Sequence, residues 1–125
     1  MQEVQRPLSP YWIYRWGITM SLSSVHRITG SLLSLGAVAL AVWLIALASG
    51  PDSFGDVAAI VGSGWFKPLL VGWAFCFFYH LANGVRHLAW DAGYGFEKSQ
   101  IRATGVTVIV VSLVATAAFS YFAIF

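Results

Sequence analysis

Two groups of side chains in this sequence could do chemistry, and both sit where an ionisable group is costly. His80 lies 11 residues before Asp91. On a helix that surfaces at that aspartate, it is roughly 16 Å deep at 1.5 Å per residue. An ionisable residue at such depth in a membrane is a functional position by default. Neutral imidazole is a good iron ligand, and haem b held between transmembrane helices is a recurring reason for one. Gly84 and His87 follow four and seven residues later, on the same helical face. The glycine would leave space for a flat macrocycle, and His87 with Arg86 could meet its carboxylates. The plain alternative is a histidine hydrogen-bonded to a neighbouring helix, with Gly84 as a small packing residue.

The second group is Ser23-Ser24-Val25-His26-Arg27. Ser23 and Arg27 are four apart and share a face. A hydroxyl and a permanent cation together suit a carbonyl oxygen that gains negative charge, as in quinone reduction. Their plain alternative is a serine capping a helix and an arginine snorkelling to lipid phosphates. Cys76, the one cysteine, allows no internal disulfide and reads as a small core thiol rather than a ligand.

The elements that must carry these residues are legible from the charges. Uncharged runs extend from Ile28 to Pro51, from Pro68 to Val85 and from Ala103 to Phe125. Each approaches or exceeds the roughly 20 residues that cross a bilayer core, and only helices satisfy their own backbone there. Three spans are expected, near 24–49, 65–90 and 102–124, within one membrane domain covering 1–125. Residues 1–22, with Trp12, Tyr14 and Trp16, read as an interfacial lead-in. Gly50-Pro51-Asp52-Ser53-Phe54-Gly55 reads as a turn region. Ala46-Leu47-Ala48 resembles a signal cleavage site, but its apolar run starts late and is too long, so no cleavage is expected.

Composition agrees. The chain has 125 residues, of which 58% are hydrophobic and only 10% charged, with a mean hydropathy of +0.74. Soluble domains average about 25% charged residues, so this surface cannot face water on all sides. A net charge of +2 without a basic cluster gives no reason to expect nucleic acid. Six of the seven basic residues flank one side of the expected spans; Lys67 alone, near Asp52 and Asp56, falls on the other. The positive-inside tendency therefore places the N-terminus and the second loop in the cytoplasm, or in the matrix of a mitochondrion. With no Arg/Ser-rich transit peptide evident, a bacterial inner membrane is favoured over a mitochondrial one.

At this level of detail the sequence resembles a known family. Arg6-Pro-Leu-Ser-Pro10, Ile13-Tyr-Arg-Trp16 and Ser23-Ser-Val-His-Arg-Ile-Thr-Gly30 resemble the N-terminal signature of the cytochrome b anchor subunit of succinate dehydrogenase, respiratory complex II. His80-Leu-Ala-Asn-Gly-Val-Arg-His-Leu-Ala-Trp-Asp91 resembles its second signature. The likeness covers essentially the whole chain, and it implies an all-α membrane protein of three transmembrane helices. Such a chain packs with a second small anchor subunit into a haem-binding bundle, beside an iron–sulfur subunit and a flavoprotein subunit.

The resemblance also implies roles by position. His80 matches the axial haem b ligand, with the second axial histidine supplied by the partner anchor. Ser23, Arg27 and Trp16 match residues at the ubiquinone pocket. His26 and Arg27, with His87, match the neighbourhood of the haem propionates. Two departures stand out: Tyr11-Trp12 replace a histidine and its two following residues, one residue short, and Ser24 replaces a bulky apolar residue. The alternatives carried forward are a fumarate reductase anchor using menaquinone and a haem-free structural anchor. No flavin, iron–sulfur or succinate-binding motif is present in the sequence, so a free-standing enzyme is not expected.

Overall fold

The computed structural model describes residues 17–125. Within them the chain folds into four helices: α1 (Ile18–Ser49), α2 (Pro51–Val61), α3 (Lys67–Asp91) and α4 (Lys98–Ala123). No strand is found among the described residues. Three of the helices, α1, α3 and α4, are long and apolar enough to cross a membrane; the protein is a multi-pass membrane protein. Helix α2, of 11 residues, is too short to do so.

Two departures from the sequence reading have simple causes. The first span begins at Ile18, inside the expected lead-in, because no Gly, Pro or charge stops the helix between Ile18 and His26. The expected turn region is a turn of one residue. Gly50 adopts φ 111°, which an L side chain rarely accepts, and Pro51 then opens α2 at a first-turn position. Proline at that place loses no hydrogen bond and has its φ already set for a helix. The rest of the lead-in, residues 1–16 with Trp16, lies outside the described residues.

Helix α3 is the centre of the bundle, packing against α4 on one side and α1 on the other. The α4 face toward it is a stripe of small or β-branched residues: Gly105, Val108, Ser112, Thr116 and Ser120 are all buried. Small side chains let helices approach closely where no hydrophobic drive distinguishes helix from lipid. Ser112 and Thr116 each donate to the carbonyl four residues back, both at 2.6 Å, so their hydroxyls are satisfied without a partner helix. Outward positions such as Leu35, Val38, Ile45, Leu88 and Val114 are exposed, as expected of a surface that meets acyl chains.

At the end of the bundle where α1 begins and α3 meets α4, Leu22, Tyr79 and Val108 form a buried cluster joining the three spans. The Tyr79 hydroxyl donates to the Leu22 carbonyl at 2.8 Å. Across the same junction, a Cβ built on Gly105 would meet Leu22 Cδ1 at 2.9 Å. The α1–α3 and α1–α4 approaches are thus fixed within one turn of Leu22, and the residues that follow it on α1 are held against α3.

Candidate functional site

One turn beyond Leu22, α1 presents His26 to α3. Its imidazole lies between two α3 rings. The His26 and His80 rings stack with centroids 3.9 Å apart and planes 7° apart, and His87 lies 5.1 Å away at 19°. Gly84, one turn from His80, faces the His26 ring; a Cβ there would lie in ordinary contact with His26 Cε1, at 3.9 Å. The His26 ring thus lies beside the position at which space for a macrocycle is expected. His26 stacks directly on His80. With α1 starting at Ile18, it is eight residues inside the helix, roughly 12 Å along it.

This stack is not a pair of opposed axial ligands. A histidine binds metal through a lone pair in the ring plane, whereas these rings meet face to face. Nor do the described residues hold any group of three or more His, Cys, Asp or Glu able to bind a bare metal ion. The histidines must be considered singly, by what each nitrogen does.

His80 Nδ1 lies 3.1 Å from the His26 carbonyl and 3.4 Å from Thr29 Oγ1. A carbonyl only accepts, so Nδ1 carries the hydrogen and Nε2 the lone pair. Nε2 has no hydrogen-bond partner among the described residues and is not sealed in the protein. The plain alternative, a histidine bonded to a neighbouring helix, is thus true of one nitrogen and leaves the other available. His87 is arranged similarly: its Nδ1 donates to the Asn83 carbonyl at 2.7 Å. In His26, by contrast, Nδ1 is buried without a partner among the described residues. Orphaned buried polar atoms are uncommon and ask for an explanation.

The donor set fits a haem. His80 offers an unprotonated Nε2 whose ring is anchored through the opposite nitrogen, the arrangement that orients ligating histidines.

Arg86, expected near such carboxylates, is committed elsewhere. It is 5% exposed, and its Nε donates to Thr104 Oγ1 and one terminal nitrogen to the Ile101 carbonyl, both at 3.0 Å. Its guanidinium also lies 4.1 Å from the centre of the Trp90 ring, a favourable cation–π distance. Arg86 faces α4, away from the imidazoles, because it is one residue off the 80–84–87 face.

Ser23 and Arg27 share the α1 face expected of them. Ser23 is half-buried and Arg27 exposed; neither side chain has a hydrogen-bond partner among the described residues. Ser23 lies five residues inside α1, so it is not the helix cap. A cavity of about 660 Å3 lies further along the bundle, lined by Gly36, Leu40, Leu70, Trp73, Phe77 and Phe119 among others. None of the residues singled out from the sequence lines it. The positions the sequence reading missed are Thr29, Gly30 and Asn83. Asn83 is fully buried, and its side-chain nitrogen has no partner among the described residues. Thr29 and Gly30 were visible only as part of the His26-Arg27-Ile28-Thr29-Gly30 run; their contact with His80 depends on how two helices cross.

Comparison with known proteins identifies the family. Residues 2–119 match the family described as succinate dehydrogenase/fumarate reductase transmembrane subunit. The chain is 40% identical to the succinate dehydrogenase cytochrome b556 subunit of Rickettsia felis over 113 residues, covering 90% of this chain and 88% of that one. It is 37% identical to the cytochrome b556 subunit of Paracoccus denitrificans over 110 residues, covering 87% and 85%. With the mitochondrial cytochrome b560 subunit of Sus scrofa it shares 36% over 117 residues, covering 89% of this chain and 68% of that one. By the extent of these matches and by its three spans, the chain belongs to the succinate dehydrogenase/fumarate reductase transmembrane subunit family, among the cytochrome b membrane anchors of succinate dehydrogenase.

Proposed function

We propose that this chain binds haem b and forms part of a ubiquinone reduction site in a succinate:quinone oxidoreductase. In this reading it pairs with a second small anchor subunit in a bacterial inner membrane. The α1 start and the α3–α4 loop face the cytoplasm, where an iron–sulfur subunit and a flavoprotein subunit dock. The carrying observation is His80, deep in α3, with Nδ1 tied to the His26 carbonyl and Nε2 left free.

His80 would hold the haem iron through Nε2, and the partner anchor would supply a second histidine. Haem, when bound, supplies a one-electron store whose potential follows its axial ligands and surroundings. His26, and His87 beside it, would direct donors to the propionates. Arg27 is placed to stabilise negative charge that develops on a quinone oxygen, an oxyanion-hole role. Ser23, one turn before it, would hydrogen-bond the ring oxygen and pass it a proton. Trp16 would complete the pocket from the segment that precedes α1.

The names of the relatives favour succinate oxidation over the menaquinone-linked reverse reaction that the family description also covers. The test is the optical spectrum of the dithionite-reduced, purified complex. Wild type is expected to show a b-type band, and His80→Ala to lose it. A band of unchanged intensity in His80→Ala would remove His80 as ligand. No band in the wild type would leave a haem-free tether.

A further inference from the structure

We infer that Thr29 is the positioning residue of the His80 ligand: its hydroxyl, with the His26 carbonyl, sets the tautomer and rotation of the imidazole. The inference rests on the haem reading above and adds to it a residue outside the set assigned there.

Thr29 is 3% exposed, and its hydroxyl has two neighbours. It lies 2.9 Å from the His26 carbonyl and 3.4 Å from His80 Nδ1. The same carbonyl is 3.1 Å from His80 Nδ1. The carbonyl can only accept, so one proton arrangement satisfies all three contacts. His80 Nδ1–H is shared between the carbonyl and Oγ1, and the threonine hydrogen goes to the carbonyl. The opposite tautomer would set a nitrogen lone pair against a carbonyl oxygen. Thr29 therefore acts with the helix backbone to keep Nε2 unprotonated.

The threonine is suited to this task. It is β-branched, and on a helix its hydroxyl favours rotamers that bond back to a carbonyl three or four residues earlier. Here that carbonyl belongs to His26, three residues back. The hydroxyl is thus fixed by its own helix before His80 reaches it. Gly30, the next residue, removes the remaining obstacle: a Cβ there would lie 2.9 Å from His80 Cε1. One side of the imidazole is held by a hydrogen-bonded pair, and an adjacent carbon passes over bare backbone. Partners of this kind on the far nitrogen raise ligand basicity and orient the ring.

The experiment compares wild type, Thr29→Val and Thr29→Ser in the purified complex. It reads haem content, the haem midpoint potential and the electron paramagnetic resonance g-values of the oxidised haem. Valine keeps the branch and removes the hydroxyl; serine keeps the hydroxyl. Thr29→Val is expected to retain haem, with a raised midpoint, since a less basic ligand favours ferrous iron, and with shifted g-values. Thr29→Ser should restore both toward wild type. If Thr29→Val retains haem with wild-type midpoint and g-values, the inference is overturned while the haem reading stands. If Thr29→Val does not assemble, Thr29→Ala is read by the same measures, and failure of both assigns the hydroxyl to folding and overturns the inference. A wild-type complex without haem sinks the underlying reading instead, so the two failures are distinct.

Discussion

Helix α3 has two seams, and they handle buried polar groups in opposite ways. Against α4, Arg86 gives hydrogen bonds to Thr104 and Ile101 and lies over Trp90, while Ser112 and Thr116 satisfy themselves. Except for Ser120 at the far end and the side-chain nitrogen of Asn83 beside Arg86, which have no partner among the described residues, the buried polar side chains of that face spend their capacity inside the chain. Against α1, the Tyr79 and Trp73 donors are likewise used, on Leu22 and Leu32. The imidazoles are not: His80 keeps Nε2 free, and His26 keeps a buried, partnerless Nδ1. The difference teaches that cost of burial alone does not identify a functional residue. Arg86 is the more expensive group, being a permanent cation, yet its bonds close within the bundle. His80 is cheaper but retains valence that none of the described residues uses.

The comparison can be broken most severely at Arg86. Arg86→Leu keeps much of the side chain's bulk and removes both strong hydrogen bonds, stranding Thr104 and the Ile101 carbonyl. The α3–α4 seam should lose about 1–3 kcal/mol. The expected result is a lower thermal midpoint and less assembled complex, while the complex that does assemble keeps a wild-type haem band. A changed haem band at unaltered thermal stability would place Arg86 in the site after all.

Arg27 sharpens the contrast from outside both seams. It is exposed on α1, so Arg27→Ala should leave thermal stability within about 0.5 kcal/mol, as is usual for surface substitutions. Succinate-driven quinone reduction should nevertheless fall by about tenfold or more, a loss of about 1.4 kcal/mol in transition-state stabilisation. Succinate oxidation by a soluble dye, which bypasses the quinone, should be almost unchanged. Equal loss in both assays would mean that the arginine serves assembly.

How far the sequence anticipates these seams depends on whether a feature belongs to one helix or to two. The three spans are legible because charge is absent from long runs, and the depth of His80 follows from its distance to Asp91. Helix α2 is hidden because Gly50-Pro51 is a signal both for a turn and for the proline that opens a helix, and local pattern does not separate them. The stack is hidden for another reason. Whether the gap at Gly84 receives a cofactor or the His26 ring depends on where α1 begins and how it crosses α3. The sequence reading starts the first span near residue 24, whereas the helix continues back to Ile18. Arg86 was placed beside His87 because they are neighbours in sequence, although adjacent residues on a helix point about 100° apart.

The smallest effects test whether the α1–α3 seam is itself divided. Gly30 and Gly36 of α1 are each covered by an α3 ring at the same distance: a Cβ would meet His80 Cε1 at 2.9 Å in one case and Trp73 Nε1 at 2.9 Å in the other. In both variants the ring must shift. Gly36→Ala would weaken the Trp73 bond to the Leu32 carbonyl, now 3.2 Å, at about 1 kcal/mol. A similar gain from replacing glycine inside a helix offsets that loss, so stability should change by less than about 1 kcal/mol and the haem spectrum not at all. Gly30→Ala carries the same helix gain and a comparable displacement, but the ring it pushes is the ligand. Its stability change should be equally small, while its haem g-values move. Identical spectra for the two variants would mean that the ligand ring tolerates the same displacement as a packing ring, and that the α1–α3 seam holds one kind of contact instead of two.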